Sequence, residues 1–324
     1  MRSSSSLTLQ TSSIRRFWDR HEYFSIGVLW AAIVAALFRD ALLAGPDRVI
    51  GGNDVTYAYL PWLRFTVESV KSGIFPLWNP HVFGGAPFAG NPQAGLFYPA
   101  TWLALCVGAE RTFSLSLALH VWLAAMGMHG WMRQIGATRA GAFFASAAYA
   151  LSGFVSARIW GGHYGPLLET ALLPLLLWTA TLALRRHSIA WAIVAAAPLG
   201  LMILAGHTPT LVLLLLGAGS FVVFEAIRAA RSLTAQSGEG AERAKHAPPP
   251  ARSAHSVARS VLTASGLLAV TLAGGAALAA IQIFPALTFV ANSARVANIS
   301  AEFASRFSLP PAQLLQMAIP DAFG

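Results

Sequence analysis

Charge is scarce in this chain. Only 11% of its 324 residues are Asp, Glu, Lys or Arg, against roughly 25% in a soluble domain. With 56% hydrophobic residues and a mean hydropathy of +0.58, the chain cannot cover its own surface in water. Acids are scarcer than bases, 13 against 22, for a net charge of +9. Such a balance invites a nucleic-acid reading. The bases stand between apolar runs rather than on one patch, so nucleic acid is excluded as a partner. One cysteine, Cys106, permits no disulfide within the chain and says nothing of redox compartment. Familiar catalytic signatures are missing too. There is no His-Glu-x-x-His, no phosphate loop ending in Lys-Ser or Lys-Thr and no Gly-x-Ser-x-Gly. Their absence argues against zincins, P-loop ATPases and serine hydrolases of the elbow type.

What the chain has in quantity is long apolar sequence. Lipid accepts only helices or closed barrels as spanning structures, and barrel strands alternate apolar with polar residues. The runs here are continuous, so the fold class is all-α: a polytopic bundle of transmembrane helices. About 20 residues are needed per span, and seven spans fall near 24–43, 112–132, 140–156, 167–184, 189–206, 209–228 and 261–284. A shorter stretch, 94–109, is broken by Pro99 and Gly108. Cytoplasmic loops carry the excess of Lys and Arg. If Arg15, Arg16 and Arg20 are cytoplasmic, then Arg133 with Arg139, Arg185 with Arg186, and the bases after Arg228 share that side only when 94–109 does not cross. We therefore read 94–109 as an interfacial or re-entrant helix. The run 24–43 is long enough to span, and no small-x-small cleavage site precedes Asp47, so it reads as a retained helix rather than a signal peptide.

The expected organisation follows. Residues 1–23 form a cytoplasmic tail, with Met1–Gln10 Ser-rich and disordered. Residues 24–228 form the transmembrane domain, including an extracytoplasmic loop at 45–111. Residues 229–260, with Pro248-Pro249-Pro250, form a flexible basic cytoplasmic linker. Residues 261–324 supply one more helix and an extracytoplasmic segment. The end at Pro320-Asp321-Ala322-Phe323-Gly324 carries the expectation that the natural protein continues.

This threading sends Gly51 to Asp54, Pro76 to Pro80, Asn91-Pro92-Gln93, Gly161 to Gly165 and Gly206 to Pro209 to the outer face. The first loop is rich in rings, among them Trp62, Phe75, Trp78, Phe83, Phe88, Phe97 and Tyr98. Rings in such number argue against disorder. They either stack on sugars or form an interfacial belt. Asp54 can act as a general base toward a hydroxyl, ligate a divalent cation such as magnesium or manganese, or cap a helix starting at Val55. His163 and His207 can ligate metal, shuttle a proton or bind a phosphate oxygen, or simply sit at headgroup level. Arg158 can grip a lipid phosphate with paired hydrogen bonds, or snorkel. Glu169 reads as structural, complementing the N-terminal dipole of its own helix. His81 has no assignment.

The same residues resemble the YfhO-type bacterial membrane proteins. The resemblance runs through Gly52-Asn53-Asp54 to Tyr59-Leu60-Pro61-Trp62, Gly73-Ile74-Phe75-Pro76-Leu77-Trp78-Asn79-Pro80, Gly84-Gly85-Ala86-Pro87, Asn91-Pro92-Gln93 and Phe97-Tyr98-Pro99. It continues at Gly206-His207, Gln282-Ile283-Phe284-Pro285, Phe307-Ser308-Leu309-Pro310-Pro311, Pro320 and Phe323-Gly324. It implies a GT-C-like integral-membrane glycosyltransferase of the bacterial inner or plasma membrane. Such an enzyme moves sugar from a polyprenyl-phosphate donor to an extracytoplasmic glycan or polymer acceptor. By position Asp54 matches the essential acid of that class. Arg158, His163, His207, Trp62, Trp78, Asn79, Asn91 and Gln93 would then contact substrate or lipid phosphate. The chain departs from some relatives in having one acid where they have a pair, which puts metal dependence in question. Family members are usually longer, so the resemblance also implies an N-terminal fragment. Two rivals stand beside it: a transporter or lipid flippase, whose polar groups belong mid-membrane on broken helices, and a non-catalytic assembly protein.

Overall fold

The computed structural model describes residues 4–45, 48–243 and 252–293, with isolated positions and a short turn between 305 and 322. The Pro248-Pro249-Pro250 run, Phe307, Leu309, Pro320 and Phe323-Gly324 lie outside the described residues. The chain opens with helix α1 (Ser4–Leu37) and a short α2 (Arg39–Leu42). The first loop follows, with α3 (Leu60–Lys71), two-residue strands β1 (Trp78–Asn79) and β2 (Ala86–Pro87), and α4 (Ala104–Val107). The bundle is completed by α5 (Ala109–Ile135), α6 (Arg139–Ala150), α7 (Gly153–Gly161), α8 (Tyr164–Arg186), α9 (Ile189–Ala205), α10 (Thr208–Arg243), α11 (Arg252–Leu278) and α12 (Ala280–Ala291).

Among the described residues, five segments are long and apolar enough to cross a membrane: Ala109–Ile135, Arg139–Gly161, Tyr164–Arg186, Thr208–Glu225 and Val261–Leu278. The apolar stretches His21–Leu37, Ile189–Ala205 and Ala280–Ala291 are shorter. Large apolar side chains stand bare on these helices, Phe144, Leu213, Leu216, Phe224 and Leu262 among them. Water would penalise such a surface and hydrocarbon does not. The fold is that of an all-α membrane protein.

Several boundaries differ from the apolar pattern. The first run ends at Leu37, not Leu43. The Ser-rich start, expected to be disordered, is helical from Ser4. The run 140–156 is two helices, broken at Leu151 and restarted by Ser152, whose Oγ accepts the Val155 N–H at 3.4 Å. The expected linker is helical to Arg243 and again from Arg252. The last run bends at Ala279 into α12. The stretch 94–109 forms only short turns before α5, at Pro99–Leu103 and in α4, each too short to span a bilayer.

Helices α5 and α8 form the centre. Gly127 meets Pro174 and Leu175, and Gly130 meets the Trp178 ring, the close backbone approach that small residues permit between membrane helices. Helices α1 and α6 pack on α5, α9 on α8, and α11 on α9. The α8 span is 78% buried, while the α10 span has no buried share, so α10 is peripheral. At one end of the bundle the arginines gather around two acids. Glu22 takes Arg133 Nε at 2.7 Å, Arg139 Nε at 2.9 Å and His129 Nε2 at 3.0 Å. Glu225 takes Arg185 at 3.1 Å and Arg228 at 2.9 Å, and Arg185 also donates to the Gln134 carbonyl. The first loop covers the other end.

Entry into α3 is unusual. Val55–Tyr59 forms a π turn, closed by the Leu60 N–H on the Val55 carbonyl. Pro61 explains it: a proline there cannot donate to the Tyr57 carbonyl, and its ring crowds that oxygen. The backbone widens by one residue instead.

Candidate active site

Glycines bring the loops together. A Cβ on Gly52 would collide with the Trp160 carbonyl, so the segment carrying Asp54 lies directly against the α7–α8 turn. Gly206, in the left-handed region at φ +82°, lies as tightly on the Pro92 carbonyl. The first loop is thus pinned to both the α7–α8 and the α9–α10 turns. On its far side the loop is held by α12, where Gln282 Nε2 donates to the Ala89 carbonyl at 3.0 Å.

These contacts gather four of the polar candidates. His163 Nε2 lies 3.6 Å from Asp54 Oδ2. On its other edge, His163 Nδ1 lies 2.8 Å from Arg158 Nη1. Arginine can only donate, so Nδ1 is the acceptor and the ring carries its proton on Nε2, toward Asp54. The 3.6 Å spacing is long for a hydrogen bond, and it sets the Nε2–H beside the carboxylate. Arg158 also lies 4.8 Å over the Phe154 ring, which orients it.

His207 obeys the same logic. Its Nδ1 accepts from the Thr210 N–H at 3.3 Å and meets the Thr210 hydroxyl at 2.8 Å. A main-chain N–H can only donate, so this ring too is an Nε2–H donor. Burial lowers its pKa below 6.5, and the charge of Arg158 lowers it further. The site therefore holds one carboxylate, one guanidinium and two imidazoles fixed as donors. That set can accept a proton at one point and bind an anionic oxygen at three.

Asp54 has helical backbone angles and makes no side-chain capping bond. The capping alternative therefore does not hold, and the carboxylate stays exposed for other contacts. Tyr59, about one turn on, is buried edge-on to Tyr164 and Trp62, each at 5.6 Å. Burial pushes its pKa up to about 12, so it stays a neutral hydroxyl. Trp62 thus supports the cluster from behind. Gln93 is exposed and lines a narrow pocket with Tyr59, Tyr98 and Tyr164. Asn91 is spent locally, its Oδ1 accepting the Gln93 N–H at 3.1 Å. Trp78 and Asn79 belong to the hairpin instead. Trp78 packs on Gly85, and Asn79 is buried with its Oδ1 on the His81 N–H at 2.9 Å.

Comparison with family models, curated proteins and solved structures finds no match, so the YfhO-type resemblance rests on its motifs alone.

Magnesium and manganese want several oxygen ligands. Among the described residues no three His, Cys, Asp or Glu side chains cluster to hold a metal, and Arg158 puts a fixed positive charge beside Asp54's neighbour. The described residues of this site do not fit a divalent cation.

One residue had been given a different task by the sequence. Glu169 does not serve the dipole of α8. It is fully buried, and its Oε1 accepts the His207 N–H at 2.7 Å across to the α9–α10 turn. The signal for it was an acid inside an apolar span, which is costly unless it has work to do.

Proposed function

We propose that the chain is a GT-C-like glycosyltransferase, moving a sugar from a polyprenyl-phosphate donor to a glycan or polymer acceptor. In this reading it threads the bacterial plasma membrane seven times, with its N-terminus cytoplasmic and the first loop outside. The observation that carries it is the pairing of Asp54 with three anion-binding donors, Arg158, His163 and His207, at the end of the bundle away from the arginine clusters. The acceptor hydroxyl attacks the anomeric carbon, the bond from that carbon to the phosphate oxygen breaks, and the hydroxyl proton passes to Asp54. Arg158 and the two Nε2–H groups stabilise the charge growing on the departing phosphate. A cleft of about 780 Å³ lies alongside, walled by Leu37, Phe38, Ile50, Ile159 and Trp160 and floored by Gly52 and Asn53. Its apolar walls suit the donor's lipid chain.

The test is sugar transfer from a polyprenyl-phosphate donor in membranes holding Asp54→Asn. Removing a general base costs about a hundredfold or more in rate. Normal transfer by Asp54→Asn, at normal membrane abundance, would refute the reading. A polar cluster at one end rather than mid-membrane also stands against the transporter alternative.

A further inference from the structure

Glu169 has no part in the chemistry proposed above, yet it is completely buried. Acids are rarely buried without a partner or a task. It stands in the second turn of α8, on the most buried span of the bundle. Its Oε1 accepts the His207 N–H at 2.7 Å, while Oε2 is buried with no hydrogen-bond partner. The peptide it holds leads into α10, a peripheral helix whose span has no buried share. The first turn of α10 is also short of donors, because Pro209 lacks an N–H. An acceptor oxygen placed there takes an N–H at the entry to α10 that no helical carbonyl can reach. It also immobilises the residue whose Nδ1 takes the Thr210 N–H.

We propose that Glu169 is a positioning residue: through the His207 N–H it holds the α9–α10 turn so that the His207 imidazole presents Nε2–H to a phosphate oxygen shared with Arg158 and His163. The proposal rests on the anion-binding half of the reading above. A rigid element, α8, thereby sets the geometry of a ring carried by a peripheral one. The Gly206 contact on Pro92 holds the turn from the opposite side, so His207 is fixed between the first loop and α8.

The experiment uses the full chain in lipid nanodiscs, with Glu169→Leu, Glu169→Gln, His207→Gln and the Glu169→Leu/His207→Gln double variant. Two quantities are read. One is the rate at which diethyl pyrocarbonate modifies His207, followed by peptide mass spectrometry with His163 as internal reference. The other is the affinity for a short-chain prenyl phosphate. Glu169→Leu removes the acceptor. It should change the His207 rate and weaken prenyl-phosphate binding about tenfold each, the scale of a buried donor left without its acceptor. Glu169→Gln keeps an acceptor oxygen and should stay close to the natural protein. The double variant should bind no worse than His207→Gln alone. An unchanged His207 rate in Glu169→Leu, or losses that add in the double variant, would overturn the proposal. If Glu169→Leu does not accumulate, Glu169→Asp withdraws the oxygen by one methylene and should move the His207 rate the same way. Should the natural protein bind no prenyl phosphate, the functional reading fails, while the His207 rate still decides the role of Glu169.

Discussion

Two histidines in this site are locked as Nε2–H donors by partners that can only give hydrogen bonds, Arg158 and the Thr210 amide. This has a consequence for pH. The His207 pKa lies below 6.5 in the folded chain, so the unfolded chain binds more protons there. The stabilising share of a neutral His207 is complete above the ordinary imidazole value and is lost as pH falls below it toward the folded value. Melting curves of the natural protein should therefore lose stability with acid across that window, and His207→Gln should flatten the slope. Gly206 offers a backbone test. Its φ of +82° and its contact with the Pro92 carbonyl leave no room for a methyl group. Gly206→Ala should cost about 1–3 kcal/mol, seen as a lower melting temperature together with weakened prenyl-phosphate binding. Asp54, Arg158, His163 and His207 were legible as candidates because each is a lone polar group at the edge of an apolar run. Their grouping was not, because it depends on which glycines let the turns touch. Asn79 and Asn91 look like ligand groups in sequence, yet turn their oxygens onto their own backbone, an ordinary habit of Asn in turns.

At the level of elements, the apolar runs located α1, α5, α8, α9, α10 and α11, merged α6 with α7 and α11 with α12, and missed most of the ends. Ser152 caps a new helix where hydropathy sees one run. Charge content cannot tell a linker from a helix that continues past the hydrocarbon, as α10 does to Arg243. The Gln282-Ile283-Phe284-Pro285 motif proves to be a clasp. Gln282 is 1% exposed and donates to the Ala89 carbonyl, tying α12 to the first loop. Gln282→Leu should release that tie at about 1–3 kcal/mol, the cost of an unpaired buried carbonyl. Limited proteolysis should then cut the loop between Trp78 and Gln93 faster, with the membrane spans left intact.

The whole molecule is polarised, with acids gripping arginines at one end and the glycine-pinned loops at the other. Glu22 is the keystone of the first end, since Arg133, Arg139 and His129 all converge on it. Glu22→Leu removes the acceptor that Arg133, Arg139 and His129 share and should lower stability by about 3 kcal/mol, read as early loss of the folded fraction in detergent. Topology itself can be mapped in a Cys106→Ser background. Cysteines placed at positions 54 and 185 should label from opposite sides of sealed vesicles, and labelling of both from one side would remove the proposed outer site. The one-sided spread of arginines was readable from spacing alone. The pairing of Glu22 with Arg133 and Arg139, and of Glu225 with Arg185, was not, because partners on different helices leave no local pattern.

The widened turn at Val55–Tyr59 acts as a phase adjuster for Asp54. An α-helix advances about 100° per residue, so one residue too many or too few swings everything upstream by over a quarter of a circle. Deleting Ala58 together with Pro61→Ala would let normal winding resume from Asn53 into α3. Every side chain of the site would survive that edit, but the carboxylate would face a different azimuth from His163. The placement of the acid is in this sense metered by a single surplus residue, and the proline that demands it sets the angle at which the acid meets its partner.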